Sequence, residues 1–504
     1  MTATISPTSA NQAISRLHTD LFIGGRWTPA ASGARFTVEN PATGAPLAEV
    51  ADADADDARR ALQTAADHQT DWAATSPRFR SEILYRAYQL IMDRADEIAA
   101  VMTAEMGKPL ADARGEVAYG AEFFRWFAEE AVRIGGDHTV TGDGNNRIVV
   151  SKQPVGPCIL ITPWNFPLAM GTRKIGPAIA AGCTMVFKPA ELTPLTALLL
   201  TEILTEAGLP DGVLNVVTTT DPAAVVGEWM GSGQARKVSF TGSTEVGKIL
   251  LGQAAETVMR TSMELGGNAP FIVCADADVD RAVDGVMVAK MRNMGQACTA
   301  ANRIFVHRAV IDEFTEKLTG RMRALVVGDG ADDATQVGPL VEAKAVDKVA
   351  TLVVDALDRG AGATCGGTRP DGPGHFYPPT VLTDVDPDAD LMHTEIFGPV
   401  AAIIPFGSTD DGSEDDGSID EVIALANNTP WGLVGYAYTR DIDTADLLST
   451  RLEVGMVGIN TGLVSNPAAP FGGVKQSGLG REGGRLGIEE FLDVKYVSRP
   501  IPKR

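Results

Sequence analysis

Between Val155 and Glu264 the chain repeats one pattern: a short apolar run, a turn, then a helical stretch. CILIT (158–162) precedes a helix at 170–181 that ends at Gly182. TMVFK (184–188) precedes an amphipathic helix at 192–207, stopped by Gly208 and Pro210. VLNVV (213–217) leads to a helix at 222–231, and KVSFT (237–241) to GSTEVGKILLGQAAE. Strands alternating with helices at this spacing predict βαβ units around a parallel sheet. A second block starts near Met263, with FIVC (271–274), a helix at 279–294, RIFVH (303–307), a helix at 309–325, then AAIIPF (401–406) and a helix at 419–427. The expected fold class is α/β with two parallel-sheet lobes. Apolar residues spaced by three and four make 54–130 helical. Residues 146–154 read as a strand with a polar face, and the tail FLDVKYVSRP alternates like an edge strand that can pair with another chain.

At 504 residues the chain suits two to four domains of about 150 residues each. Its 43 basic and 65 acidic residues leave a net charge of −22. That balance argues against a nucleic-acid partner, which asks for a basic face, and against attachment to an anionic membrane. An anionic substrate would need a local cluster of Arg or Lys. The N-terminus lacks the basic and apolar regions of a secretory signal, and no uncharged apolar run is long enough to span a bilayer. A cytoplasmic protein with a loose start is expected. The five cysteines (Cys158, Cys183, Cys274, Cys298, Cys365) are widely spaced with no CxxC, and the six histidines are scattered. Neither a disulfide framework nor a metal site is expected. The stretch 407–418 is acidic, rich in Gly and Ser, and reads as an exposed flexible loop.

Five stretches carry chemistry, each with a plainer alternative. Gly242-Ser-Thr-Glu-Val-Gly247 joins a strand to a helix, a natural phosphate site, or simply a turn. Lys188-Pro-Ala-Glu191 ends the second strand, where an acid can bond ribose hydroxyls; equally, Glu191 complements a helix dipole and Lys188 is a surface lysine. In Met263-Glu-Leu-Gly-Gly-Asn-Ala-Pro270, Glu264 is a candidate general base or an exposed acid on a hinge. Cys298, in Asn293-Met-Gly-Gln-Ala-Cys-Thr299, has polar and glycine neighbours that suit a nucleophile, whereas most lone cysteines are small buried apolar groups. Asn165, in Thr162-Pro-Trp-Asn-Phe-Pro167, is held between an aromatic and prolines, able to donate to an oxyanion or to close an Asx turn.

Taken in order, PWNFP, KPAE, FTGSTEVG, MELGGNAP, GQAC and EIFGP (395–399) resemble the aldehyde dehydrogenase superfamily over nearly the whole chain. The resemblance implies a Rossmann-like cofactor domain (19–136 and 155–267), a catalytic domain (268–475) and a β oligomerisation arm (137–154 and 485–504), after a flexible N-terminus (1–18). It implies Cys298 as nucleophile, with Asn165 and the Cys298 N–H holding the oxyanion, and Glu264 activating water. It implies Trp164, Gly242, Ser243, Gly247 and Leu265 along the cofactor groove. Glu395 and Phe397 would orient the nicotinamide ribose and ring, and Lys188 and Glu191 would hold the adenosine ribose. An acid at Glu191 would meet a 2′-phosphate with like charge, so NAD is expected over NADP, with NADP possible.

GKPLADARGEV (107–117), GTRKIGPAIAAGCTMVFKPAE (171–191), KMRNMGQAC (290–298) and SNPAAPFGGVKQSGLGREGG (465–484) are similar to the succinate-semialdehyde dehydrogenase subgroup. That similarity implies Arg173, Arg292 and Ser465 as the seat of a substrate carboxylate, the planar guanidinium matching a carboxylate; the alternative is surface ion pairing. The expected reaction is succinate semialdehyde to succinate through a thiohemiacetal and thioester, with glutarate semialdehyde or a broad aliphatic aldehyde as alternatives. Acyl transfer to CoA and a non-catalytic binding role fit less well, because Glu264 and Cys298 are both present. Met291 replaces an aromatic pocket residue common in relatives. Ala300 replaces a second cysteine found in some, which removes a disulfide switch. A homodimer or homotetramer is expected.

Overall fold

Five parallel strands form the centre of the first sheet, ordered Leu214–Val216, Met185–Lys188, Cys158–Ile161, Lys237–Thr241, Arg260–Glu264. The strand order reverses beside Cys158–Ile161, as two βαβ halves wound outward from the middle require. The computed structural model in which this is seen describes residues 7–408 and 418–502. Antiparallel strands extend both edges: Leu21–Ile23 and Arg26–Thr28 on one side, Gly478–Leu479 on the other. All four residues of Cys158–Ile161 and of Met185–Lys188 are buried, the expected state of parallel strands covered on both faces.

The second sheet has seven strands, ordered Gly362–Cys365, Thr380–Thr383, Val400–Phe406, Ala301–His307, Ala269–Val273, Val434–Tyr438, Met456–Ile459. All its pairs are parallel except the first. It has its own core, with Phe271, Ile304 and Val400 fully buried. Asp137–Val140, Asn146–Pro154 and Leu492–Pro500 make a separate antiparallel arm, with Leu492 opposite Pro154 and Pro500 opposite Asn146. Val140, Val494 and Tyr496 are exposed on it.

Local signals explain the helix boundaries. Asp54 and Asp57 form a capping box that starts Ala55–Ala73. Ser76 caps Pro77–Asp93, with proline in its first turn. Gly182 ends Ala169–Ala181 with φ 94°, a left-handed conformation that glycine tolerates best.

Two expectations change, and a third cannot be compared. The start is not loose throughout: Pro7–Ile14 is a helix, and Ala10 and Ile14, four apart on one face, are buried. The helix expected to reach residue 294 ends at Met291, because Asn293 and Met294 adopt φ of 54° and 56°. The acidic stretch 407–418 lies outside the described residues from 409 to 417.

Candidate active site

Where the strand order reverses, the loops leaving neighbouring strands diverge and open a crevice at their carboxyl ends. Trp164 and Asn165 follow Cys158–Ile161. Gly242 and Ser243 follow Lys237–Thr241. Glu264 and Leu265 end Arg260–Glu264. Cys298 enters from the second lobe, just before Ala301–His307, together with Glu395 and Phe397. All nine line one cavity of 340 Å³. Residues scattered over more than 230 positions are thus brought into one crevice.

The cavity has a cofactor-like end. Ser243 caps the helix Thr244–Thr257, its Oγ accepting the Val246 N–H at 3.3 Å, so the helix N-terminus opens beside Gly242 and Ser243. Gly247 does not line the cavity; a Cβ there would lie 2.5 Å from the Leu265 side chain, so glycine lets the helix pack on the loop after Glu264. The Glu395 carboxylate accepts the Gly267 N–H at 3.4 Å, and burial pushes it up to about 7. Phe397, at φ 57°, meets Trp164 edge to face with ring centroids 5.4 Å apart. Lys188 and Glu191 lie outside this cavity and pair with each other, Nζ to Oε2, at 2.9 Å. A helix N-terminus for phosphates, an aromatic wall and carboxylates for ribose hydroxyls together fit a nicotinamide dinucleotide.

The other end carries the groups suited to covalent chemistry. Burial pushes the Cys298 thiol up to about 12; Arg173, and more weakly Arg292, pull it back. Burial, then the neighbouring Glu482, hold Glu264 well above the ordinary carboxylate range. Among the described residues neither Glu264 oxygen has a hydrogen-bond partner, so the group is free to turn toward a substrate or water. Asn165 Nδ2 donates to the Gln296 carbonyl at 3.0 Å, tying the amide to the loop that carries Cys298.

The expected carboxylate seat is only partly assembled. Arg292, half-buried, reaches Ser465 Oγ with Nη1 at 3.4 Å, and its guanidinium lies over Phe166 and Tyr119. Arg173 is 1% exposed, so the surface-pairing alternative does not hold for it. Its Nε pairs with Glu482 at 2.5 Å, and its guanidinium lies over Phe471. Met291 packs into the core of the second lobe, and Ala300 packs with Phe166, Met170 and Ala297.

Among the charged residues, Glu342, Lys344 and Lys348 line the cavity without a role in the sequence reading, and Lys174 and Glu482, which lie beside it, have none either. Lys174 Nζ bonds Glu482 at 2.5 Å and Ser239 at 3.1 Å. Although burial works to raise Glu482, Arg173 and Lys174 together hold it below the ordinary carboxylate range. Lys174 and Glu482 lie inside quoted motifs, TRK and GREGG. The only available signal was a charged residue in an otherwise apolar or glycine-rich stretch.

Comparison with known proteins identifies the family. Residues 27–497 match the model of the aldehyde dehydrogenase family. A succinate-semialdehyde dehydrogenase of Paenarthrobacter nicotinovorans is 55% identical over 90% of this chain and 99% of its own. A glutarate-semialdehyde dehydrogenase of Pseudomonas putida is 47% identical over 94% and 96%. The crystal structure of an E. coli NADP dependent enzyme superposes with a TM-score of 0.93 at 46% identity, covering 97% of this chain and 99% of that one.

Proposed function

The chain belongs to the aldehyde dehydrogenase family, and on that premise we propose that it oxidises a small carboxylate-bearing aldehyde, succinate semialdehyde first, to the dicarboxylate with NAD. The observation that carries the reading is the convergence of Cys298, Asn165 and Glu264 in one cavity with Ser243, Glu395 and Phe397. Cys298 sulfur adds to the aldehyde carbon, its proton passing to a base, and the carbonyl oxygen becomes an oxyanion. The Asn165 amide and the Cys298 N–H donate to that oxyanion, a stabilisation strongest where water is excluded. Ser243, Glu395 and Phe397 would hold a nicotinamide dinucleotide, which would supply the acceptor for the hydride that the thiohemiacetal loses in becoming a thioester. Glu264 then takes a proton from water as its oxygen adds to the thioester carbon. The carbon–sulfur bond breaks, the acid leaves and the thiol is restored. Splitting the oxidation at a covalent stage replaces one hard step with two easier ones.

Arg292 and Ser465 support a substrate carboxylate, the local positive site that an acidic protein needs. The Pseudomonas relative favours glutarate semialdehyde as a second reading, and one methylene alters selectivity by only about 1–3 kcal/mol. Glu191 supports NAD, because its charge repels a 2′-phosphate; the name of the E. coli structure speaks for NADP in that protein. The first lobe is assigned to the cofactor, the second to catalysis and the arm to assembly. Exposed Val494 and Tyr496 on an edge strand support a dimer or tetramer.

The test is reduced-nicotinamide formation with NAD across succinate semialdehyde, glutarate semialdehyde, butanal and benzaldehyde, with Cys298→Ala as blank. Succinate semialdehyde is expected to lead butanal in kcat/KM by about a hundredfold. Equal rates for butanal would end the carboxylate reading and leave general aldehyde oxidation.

A further inference from the structure

The segment GKPLADARGEV (107–117) enters none of the roles above, yet three of its side chains are tied to the two loops that carry the reacting groups. Lys108 is 1% exposed. Its Nζ donates to the main-chain carbonyl of Asn165 at 2.8 Å and to the Glu116 carboxylate, and it lies 4.3 Å from the Phe166 ring centroid. The other Glu116 oxygen accepts the main-chain N–H groups of Leu168 at 3.0 Å and Ala169 at 3.1 Å. These are free donors at the start of the helix Ala169–Ala181. One helical turn before Glu116, Asp112 Oδ2 accepts the main-chain N–H of Asn293 at 2.9 Å.

Asn293 closes the circuit. Its Nδ2 donates to the Asn165 carbonyl at 3.0 Å and to the Gln296 carbonyl at 2.9 Å, and the latter also accepts the Asn165 amide. Asn293, Met294 and Gly295 have φ of 54°, 56° and 74°. Left-handed backbone at two residues other than glycine stores strain that persists only where surrounding contacts hold it. Asp112 supplies such a contact at the first of the three.

A buried ion pair is a weak source of net stability, because desolvation offsets its attraction. Lys108 and Glu116 instead spend their remaining hydrogen-bonding capacity on the backbone at residues 165, 168 and 169. We propose that Lys108, Asp112 and Glu116 are positioning residues, a bracket that sets the Asn165 amide against Cys298 and thereby tunes the oxyanion site. The inference rests on the roles given above to Cys298 and Asn165.

The test is a double-mutant cycle in the full-length enzyme, with NAD and succinate semialdehyde. Asp112→Ala, Glu116→Gln and Asn165→Ala are made singly, and the first two are each combined with the third. Displacement of the amide is expected to lower kcat by about 10- to 100-fold with KM within about twofold. On the Asn165→Ala background the same changes should cost less than about threefold, since the group they position is gone. Alkylation of Cys298 by iodoacetamide, which forms no oxyanion, should be unchanged. A merely structural role would instead lower the melting temperature and slow alkylation as well, with losses that multiply across the cycle. Multiplying losses, or an unchanged kcat in both single variants beside an impaired Asn165→Ala, overturn the bracket. An unimpaired Asn165→Ala overturns the reading of the oxyanion site, and the bracket with it. Asp112 is only half-buried, so its variant keeps the test open should Glu116→Gln not fold.

Discussion

Arg292 Nη1 lies 3.4 Å from Ser465 Oγ, although 173 residues separate them in the chain. A guanidinium beside a hydroxyl presents several convergent donors, while Phe166 and Tyr119 shield the charge from one side. On the proposed reading this pair receives the planar substrate carboxylate. Arg292→Gln is expected to lower kcat/KM for succinate semialdehyde about 10- to 100-fold, the worth of one charged hydrogen bond of about 1.5–3 kcal/mol. Butanal, lacking the carboxylate, should change by less than about threefold. A parallel loss for both substrates would show that Arg292 acts on the reaction centre instead.

Arg173 is expected to behave differently, because it is committed to Glu482 and bears on Cys298 and Glu264. Arg173→Gln leaves Glu482 with one buried cation in place of two. Losing a partner from a buried charge cluster is destabilising by about 3–5 kcal/mol. Activity toward succinate semialdehyde and butanal should therefore fall together, accompanied by a lower melting temperature. A loss confined to succinate semialdehyde would return Arg173 to the carboxylate seat.

The Cys298 thiol, pushed up to about 12 by burial, is protonated across the neutral range in the absence of cofactor. Its alkylation by iodoacetamide should rise about tenfold per pH unit from pH 7 to 9, with no plateau. The measurement is labelling of Cys298 followed by peptide mass spectrometry. A plateau near pH 7 would mean that the positive field of Arg173 and Arg292 outweighs burial.

Glu264 has no hydrogen-bond partner among the described residues. Glu264→Gln should preserve a burst of about one reduced nicotinamide per subunit and slow the following turnover by about 100-fold or more. Mass spectrometry of the quenched protein should find the acyl group on Cys298. Loss of the burst itself would place Glu264 in the first half of the reaction.

Glu191, held by Lys188 at 2.9 Å, tests the proposed preference for NAD. Glu191→Gln removes the repulsion toward a 2′-phosphate and frees Lys188 to meet it. The ratio of kcat/KM for NADP over NAD should rise about tenfold or more. An unchanged ratio would show that the adenosine ribose lies elsewhere.

The alternation of strands and helices was legible because it is local: burial on both faces selects short apolar runs, and Gly182 marks a helix end without reference to anything distant. The unexpected left-handed turn after Met291 was not legible, since nothing in Asn293 or Met294 announces a positive φ. Cys298, Asn165 and Glu264 were recognisable from motif context, and the structure places all three in one cavity. The Lys174–Glu482 bond joins residues 308 positions apart, a pairing that no local pattern contains.

The order of the elements and the inventory of reactive groups could be read from the chain alone, because φ/ψ preference, apolar periodicity and side-chain chemistry are properties of short segments. Only folding settles which charges far apart in the chain meet, whereas Lys188 and Glu191 pair three residues apart. Arg173 and Arg292 share an expected role, yet one is turned to a buried glutamate and the other to a serine. Ionisation followed the same rule: Glu264 is raised and Glu482 lowered, though both are buried glutamates. Desolvation and Coulomb interaction depend on distance through space, and the two cations that distinguish these carboxylates reach Glu482 only once the chain has folded.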